Sequence, residues 1–102
     1  MSKRKTTPIL SAAQLEMVAL RFRLLGEPMR LRILQAVCHA PRPVSEIVTA
    51  VGATQANVSK HLSLLAAAGI LERRKQGQLV FYGMKDQLAL KLCGMVRAHL
   101  DA

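Results

Sequence analysis

At 102 residues the chain has room for about one domain, which excludes barrels, doubly wound sheets and tandem catalytic domains. With 51% hydrophobic and 21% charged residues it can bury a core, but a domain this small hides only about two-thirds of the surface its unfolded chain exposes, so an oligomer interface would help it. Fifteen Lys and Arg against six Asp and Glu leave a net charge of +9, which favours a polyanionic partner, nucleic acid ahead of an anionic membrane.

Residues 1–9 are basic, polar and interrupted by Pro8, and are expected to form a disordered arm ahead of a folded domain over 10–102. Lys3, Arg4 and Lys5 are followed by Thr6, Thr7 and Pro8, and Ile9-Leu10 is too short for the apolar core of a signal peptide. The longest apolar-rich stretch, Leu62 to Leu71, is broken by Ser63 and Gly69 and falls far short of the ~20 residues of a spanning helix. The expected setting is therefore the cytoplasm, with no membrane partner. Cys38 and Cys93 are too few for a disulfide scaffold and are expected as thiols in a reducing compartment.

Ser11-Ala12-Ala13-Gln14 fits a capping box flanked by Leu10 and Leu15 as a hydrophobic staple, which predicts a first helix running to about Leu25. Gly26 can take the left-handed conformation that closes it, and Pro28 suits the first turn of a second helix because its missing N–H costs nothing there. On that helix Leu31, Leu34, Val37 and Cys38 share a face, with Arg30, Arg32 and Gln35 turned elsewhere. Pro41-Arg42-Pro43 ends it. Val44, Ile47, Val48 and Val51 then mark a short amphipathic helix stopped by Gly52. Thr54 offers an N-cap oxygen to a longer helix with Val58, Leu62 and Leu65 as its buried stripe, ending at Gly69. From Leu71 to Tyr82 the pattern is strand, glycine-containing turn, strand, with the cations Arg73, Arg74 and Lys75 in the hairpin. Asp86 caps a last helix with two apolar rows, Leu88/Leu92/Met95 and Ala89/Cys93/Val96/Leu100, and two rows fit a helix packed on its own domain and on a partner subunit.

A short helix, a glycine turn and a second capped helix are the parts of a helix-turn-helix, and a basic hairpin directly after it makes a winged version. The fold class is therefore mainly α with a small β-hairpin. On the second helix Ala56, Ser59, Lys60 and Ser63 lie opposite the buried stripe, with Gln55 and Asn57 near the exposed N-terminal end. Such an end enters a major groove about 12 Å wide, where amides read adenine edges and small side chains approach thymine methyls. The candidate DNA-binding residues are Thr54, Gln55, Ala56, Asn57, Ser59, Lys60, His61 and Ser63, with Arg73, Arg74 and Lys75 supplying phosphate or minor-groove contacts. Read alone, the basic run is a solvated hairpin tip and Lys60 an ordinary surface lysine; next to a helix-turn-helix both gain a target.

Leu25-Gly26-Glu27-Pro28-Met29-Arg30-Leu31-Arg32-Ile33-Leu34 resembles the "LGDPTRLRIL" segment of the ArsR/SmtB family of bacterial winged-helix repressors. Thr54 to Leu62, followed by Leu65, Ala68-Gly69-Ile70-Leu71 and then Gly77 with Val80-Phe81-Tyr82, is similar to that family's "SQxxVSxHLxxLxxAGLV" recognition helix and "GxxVxY" wing. The resemblance implies a cytoplasmic homodimer, paired through the first and last helices, that blocks transcription at an inverted-repeat operator in double-stranded DNA and releases when an inducer binds. Two-fold pairing also suits the reading of DNA, because it presents two recognition helices about one turn apart.

The resemblance also says where sensing chemistry is found in relatives. Zinc-sensing members carry ligands that fall here on Asp86, Leu88, His99 and Ala102, leaving Asp86 and His99 as a remnant of a site that wants four donors. More simply, Asp86 is a helix cap and His99 an interfacial or solvated histidine. Arsenic-sensing members need cysteines where Val48 and Ala50 stand. Some relatives bridge a cysteine pair that would correspond to about Gln35 and Asp101, against Cys38 and Cys93 here. A shift of eight residues along a helix is about 12 Å, whereas a disulfide tolerates Cα separations up to roughly 7 Å. Cys38 and Cys93 are thus candidate sensor thiols for reactive sulfur, an oxidant or a soft metal ion, or else small core residues. No cofactor is required.

Other classes fit less well. A basic RNA-binding module would lean on aromatic stacking, and only Phe22, Phe81 and Tyr82 are present. For an enzyme, Cys38 and His39 are adjacent, but on a helix they point about 100° apart, and no other acid–base cluster stands out. The same fold without thiol sensing, either constitutive or controlled by an organic ligand or a protein partner, is the alternative regulator.

Overall fold

The computed structural model describes residues 9–101; the expected basic arm lies outside them except for Ile9, and Ala102 lies outside them too. Five helices and three short strands follow one another: α1 (Ala12–Leu25), α2 (Pro28–Ala36), β1 (Arg42–Pro43), α3 (Val44–Val51), α4 (Gln55–Ala67), β2 (Leu71–Gln76), β3 (Leu79–Met84) and α5 (Leu88–Asp101).

The helix starts are set by side chains that satisfy backbone N–H groups left without partners in the first turn. Ser11 Oγ accepts from Gln14 N–H at 3.1 Å while Gln14 Oε1 accepts from Ser11 N–H at 2.9 Å, a complete capping box. Glu27 does the same for α2, its Oε1 accepting from Arg30 N–H at 3.0 Å, with Pro28 in the first turn. Gly52 after α3 and Gly69 after α4 sit at φ +69° and +78°, the left-handed conformation that only glycine adopts without strain, whereas Gly26 after α1, expected to be left-handed, sits at φ −87°. The turn between α3 and α4 is therefore tight, and the two helices are held at a fixed angle.

The core lies where α2, α3 and α4 meet under the sheet. Ile33, Ile47, Val58, Leu62, Leu65 and Ile70 are completely buried, so the Val58/Leu62/Leu65 stripe points as its spacing predicts. Tyr82 closes the core from β3 and Leu24 from α1. On α2 the buried face is rotated from the one expected: Ile33 and Leu34 are inside, whereas Leu31 is 37% exposed and Arg30 is half-buried. The helix also stops at Ala36. Cys38 and His39 therefore lie beyond it, which corrects their placement on a helix.

Arg42–Pro43, expected only as a break, is a third strand. It pairs antiparallel with β3 (Arg42 opposite Tyr82), giving the sheet order β1-β3-β2. Proline is tolerated there because, among the described residues, β1 is an edge of the sheet. Gly83 is required for the close approach, since a Cβ at that position would stand 2.9 Å from Pro41 Cγ.

Candidate nucleic-acid interface

Thr54 Oγ1 accepts from Asn57 N–H at 3.2 Å and caps α4. This fixes the first turn of the helix while leaving Thr54, Gln55, Ala56 and Asn57 exposed. Lys60 and Ser63 are exposed further along the helix and Ser59 is half-buried beside them. These seven share the outward side of α4, with a helix N-terminus whose dipole favours an anion.

His61 does not belong to that front. It is only 7% exposed, and its Nδ1 accepts a hydrogen bond from Arg30 Nε at 3.1 Å. The expectation that it contacts DNA is corrected: position 61 is three residues after Val58 and four before Leu65, so it falls on the inward stripe.

The sheet brings the cations alongside. β2 pairs with β3 in the register Arg73 opposite Tyr82, Arg74 opposite Phe81 and Lys75 opposite Val80, and alternate side chains point to opposite faces. Arg73 shares a groove with Gln55 and Ser59 of α4, Ser45 at the start of α3, and Val80 and Tyr82 of β3. Lys75 follows Arg73 on the same side by alternation. Arg74 is on the other side, near Pro41, Phe81 and Gly83, and its Nη2 donates to Glu72 Oε2 at 2.7 Å. Arg21, Arg42 and Arg97 are also paired with carboxylates. Lys60, Arg73 and Lys75 make no ion pair among the described residues, so three uncompensated positive charges stand beside the polar front of α4.

The candidate sensing residues are placed elsewhere. Asp86 Oδ1 accepts from Leu88 N–H at 3.0 Å and its Oδ2 lies 3.4 Å from Arg21 Nη1, so that carboxylate is a cap and an ion-pair partner. His99 is exposed in the last turn of α5. With Leu88 between them offering no donor atom, the zinc positions of relatives do not fit a metal here, and the described residues contain no cluster of three or more His, Cys, Asp and Glu side chains suited to a metal ion. Cys38 and Cys93 are free and half-buried. Cys93 lines an apolar groove between α1, α2 and α5 with Phe22, Leu25, Leu31, Val96 and Leu100. Large apolar side chains of α1 and α5 stay exposed around it, Phe22 at 61%, Met95 at 67% and Leu100 at 75%.

A capped helix presented by a tight glycine turn, beside a cationic hairpin, is a winged helix-turn-helix. The arsR family of bacterial regulatory proteins matches residues 27–73. The probable mercury resistance operon repressor of Streptomyces lividans is 34% identical over 76 residues, covering 74% of this chain and 61% of the relative. A transcriptional repressor SmtB homologue of Synechocystis sp. is 27% identical, covering 91% of this chain and 70% of the relative. The homodimeric winged helix-turn-helix DNA-binding domain of Mb0332 from Mycobacterium bovis superposes with a TM-score of 0.78 at 30% identity, covering 88% of this chain and 83% of that one. The chain thus spans about three-fifths to seven-tenths of the length of these curated relatives. The protein is of the class of winged helix-turn-helix DNA-binding regulators, and not of an enzyme class. It belongs to the ArsR family. Among the described residues no helix is long and apolar enough to cross a membrane.

Proposed function

We propose that the chain is a transcriptional repressor that binds an inverted-repeat operator as a homodimer and lets go when an inducer reacts with it. The observation that carries this reading is the juxtaposition of the exposed first turn of α4 with the unpaired Arg73 in one groove. In it, Gln55 and Asn57 read base edges, Lys60 and Ser63 flank them, and Arg73 and Lys75 hold the phosphates that fix the register. The exposed apolar faces of α1 and α5 support pairing through those two helices, because a water-facing run of such side chains needs a cover. The Mycobacterium bovis domain is itself homodimeric.

For the inducer, we infer a thiol-directed agent, either reactive sulfur, an oxidant or a soft metal ion, acting at Cys38 and Cys93. Two free, half-buried thiols support this, and so does the Streptomyces lividans relative, named for mercury resistance. No resident cofactor enters the scheme. The regulator reading is tested by selecting duplexes from a random pool and replacing Gln55 and Lys60 together with alanine. The expected result is an enriched palindrome bound by the wild type and lost by the double variant. Equal retention of duplex by both proteins, or a preference for structured RNA over duplex at physiological salt, would overturn it.

A further inference from the structure

Arg30 stands at the third residue of α2 and is half-buried. Its guanidinium reaches in two directions. Nε donates to His61 Nδ1 at 3.1 Å, and Nη1 donates to the carbonyls of Leu24 at 3.3 Å and Arg23 at 3.4 Å. Those carbonyls belong to the last turn of α1, where the helix has run out of its own N–H donors and where its dipole favours a cation. One side chain therefore ties the end of α1 and the start of α2 to the middle of α4. His61 is buried among the apolar residues of α4. Arg30 Nε can only donate, so Nδ1 is the accepting atom of this bond. A core built for stability alone would take leucine at this position, because a buried polar ring costs unless it is bonded. The histidine contributes an acceptor instead.

We infer that Arg30 and His61 are positioning residues, a polar link that sets the angle of the reading helix against α1, the helix that carries half of the proposed dimer surface; this rests on the operator-binding reading above. The lever arm is short but sufficient. Gln55 is six residues from His61, about 9 Å along the helix, so a tilt of roughly 10° moves it by about 1.5 Å. A hydrogen bond to a base edge is lost by a shift of that size. Phosphate contacts from flexible cations survive it, so the link bears on selective binding more than on its salt dependence.

The test measures affinity for a duplex selected by the wild-type protein, together with dimer mass and thermal melting, for His61→Phe, His61→Asn, Arg30→Met and the double variant Arg30→Met/His61→Phe. Phenylalanine keeps the ring and loses the acceptor; asparagine places an oxygen where Nδ1 stood. The expected outcome is a loss of about tenfold for His61→Phe and Arg30→Met, the scale of a hydrogen bond to a charged group, with dimer mass and salt slope unchanged. His61→Asn recovers to within about threefold of wild type, and the double variant is no weaker than either single one. A merely structural pair would lower the melting temperature and leave the affinity of the folded dimer intact; that result overturns the inference, as do additive losses or an asparagine no better than phenylalanine. Should His61→Phe fail to fold, Arg30→Met and His61→Asn carry the comparison. A wild type that selects no duplex brings down the operator reading and the link with it, whereas a wild type that binds beside unaffected variants brings down the link alone.

Discussion

Replacing Arg73 and Lys75 together with alanine removes two cations per protomer from the wing face that adjoins Gln55 and Ser59, four in a dimer. Neither is neutralised by a carboxylate among the described residues, so each is available to displace a counterion from DNA. Each neutralised phosphate contributes about 0.9 to the slope of log Kobs against log salt, so four give a slope shallower by about 3.6. Between 50 and 200 mM salt the wild type should then lose roughly 10²-fold more affinity than the variant. Arg74 supplies the internal control, because it is paired with Glu72 at 2.7 Å on the opposite face. Replacing both members of that pair, Glu72→Gln with Arg74→Ala, removes no net charge and should leave the slope within about 0.5 of wild type. Fluorescence anisotropy titrations at four or five salt concentrations measure all three slopes. An unchanged slope for Arg73→Ala/Lys75→Ala, or an equal fall for the control, refutes the assignment of phosphate contacts to the helix-facing side of the wing.

Gly83→Ala puts a methyl group 2.9 Å from the Pro41 ring, which is fixed to its backbone and cannot swing aside; a cost of about 1–3 kcal/mol is expected in urea unfolding, and a variant as stable as wild type would show that β1 yields freely. Val96→Glu places a carboxylate on the exposed apolar face of α5, where Val96 is 58% accessible. Light scattering should then report a monomer that no longer binds its duplex, and an intact dimer would send the interface elsewhere. Finally, Cys38→Ser and Cys93→Ser are each expected to keep their grip on DNA when polysulfide, peroxide or arsenite releases the wild type. Release from the serine variants identical to wild type would remove the thiols from the inducer reading.

Where local chemistry decides the structure, the sequence was easy to read. The Ser11/Gln14 capping box, the helix stops at Gly52 and Gly69, and the Thr54 cap are each specified by a few adjacent residues, and all four are observed, whereas Gly26 ends α1 without the left-handed turn expected of it. The misreadings have non-local causes. β1 is two residues long and includes a proline; what makes it a strand is a partner forty positions away, Arg42 opposite Tyr82, for which no neighbouring residue gives a sign. On α2, the inward turn of Ile33 and the outward turn of Leu31 follow from how α3 and α4 pack on it. His61 was hidden by its residue type. Its spacing from Val58 and Leu65 marks it as inward-facing, whereas a polar ring next to Ser59, Lys60 and Ser63 suggests a DNA contact. Arg30 is the missing half of the same pattern: an arginine half-inside a core asks for an acceptor, and position 61 is where one stands. Along α4 the exposed polar side was legible throughout, whereas the division of Arg73 and Arg74 between two faces needed the register of the hairpin.

The outer edge of the sheet has a consequence beyond recognition. Among the described residues β2 has no neighbour on its far side, and an unpaired backbone of that kind is a template on which another molecule's strand can add and start a fibre. Its side chains include three consecutive cations, and a second identical strand brought alongside would set like charges against one another. Repulsion between copies would oppose such stacking. Stripping those charges to probe binding also strips that guard, so neutral-wing variants should clump at concentrations where the native chain stays clear.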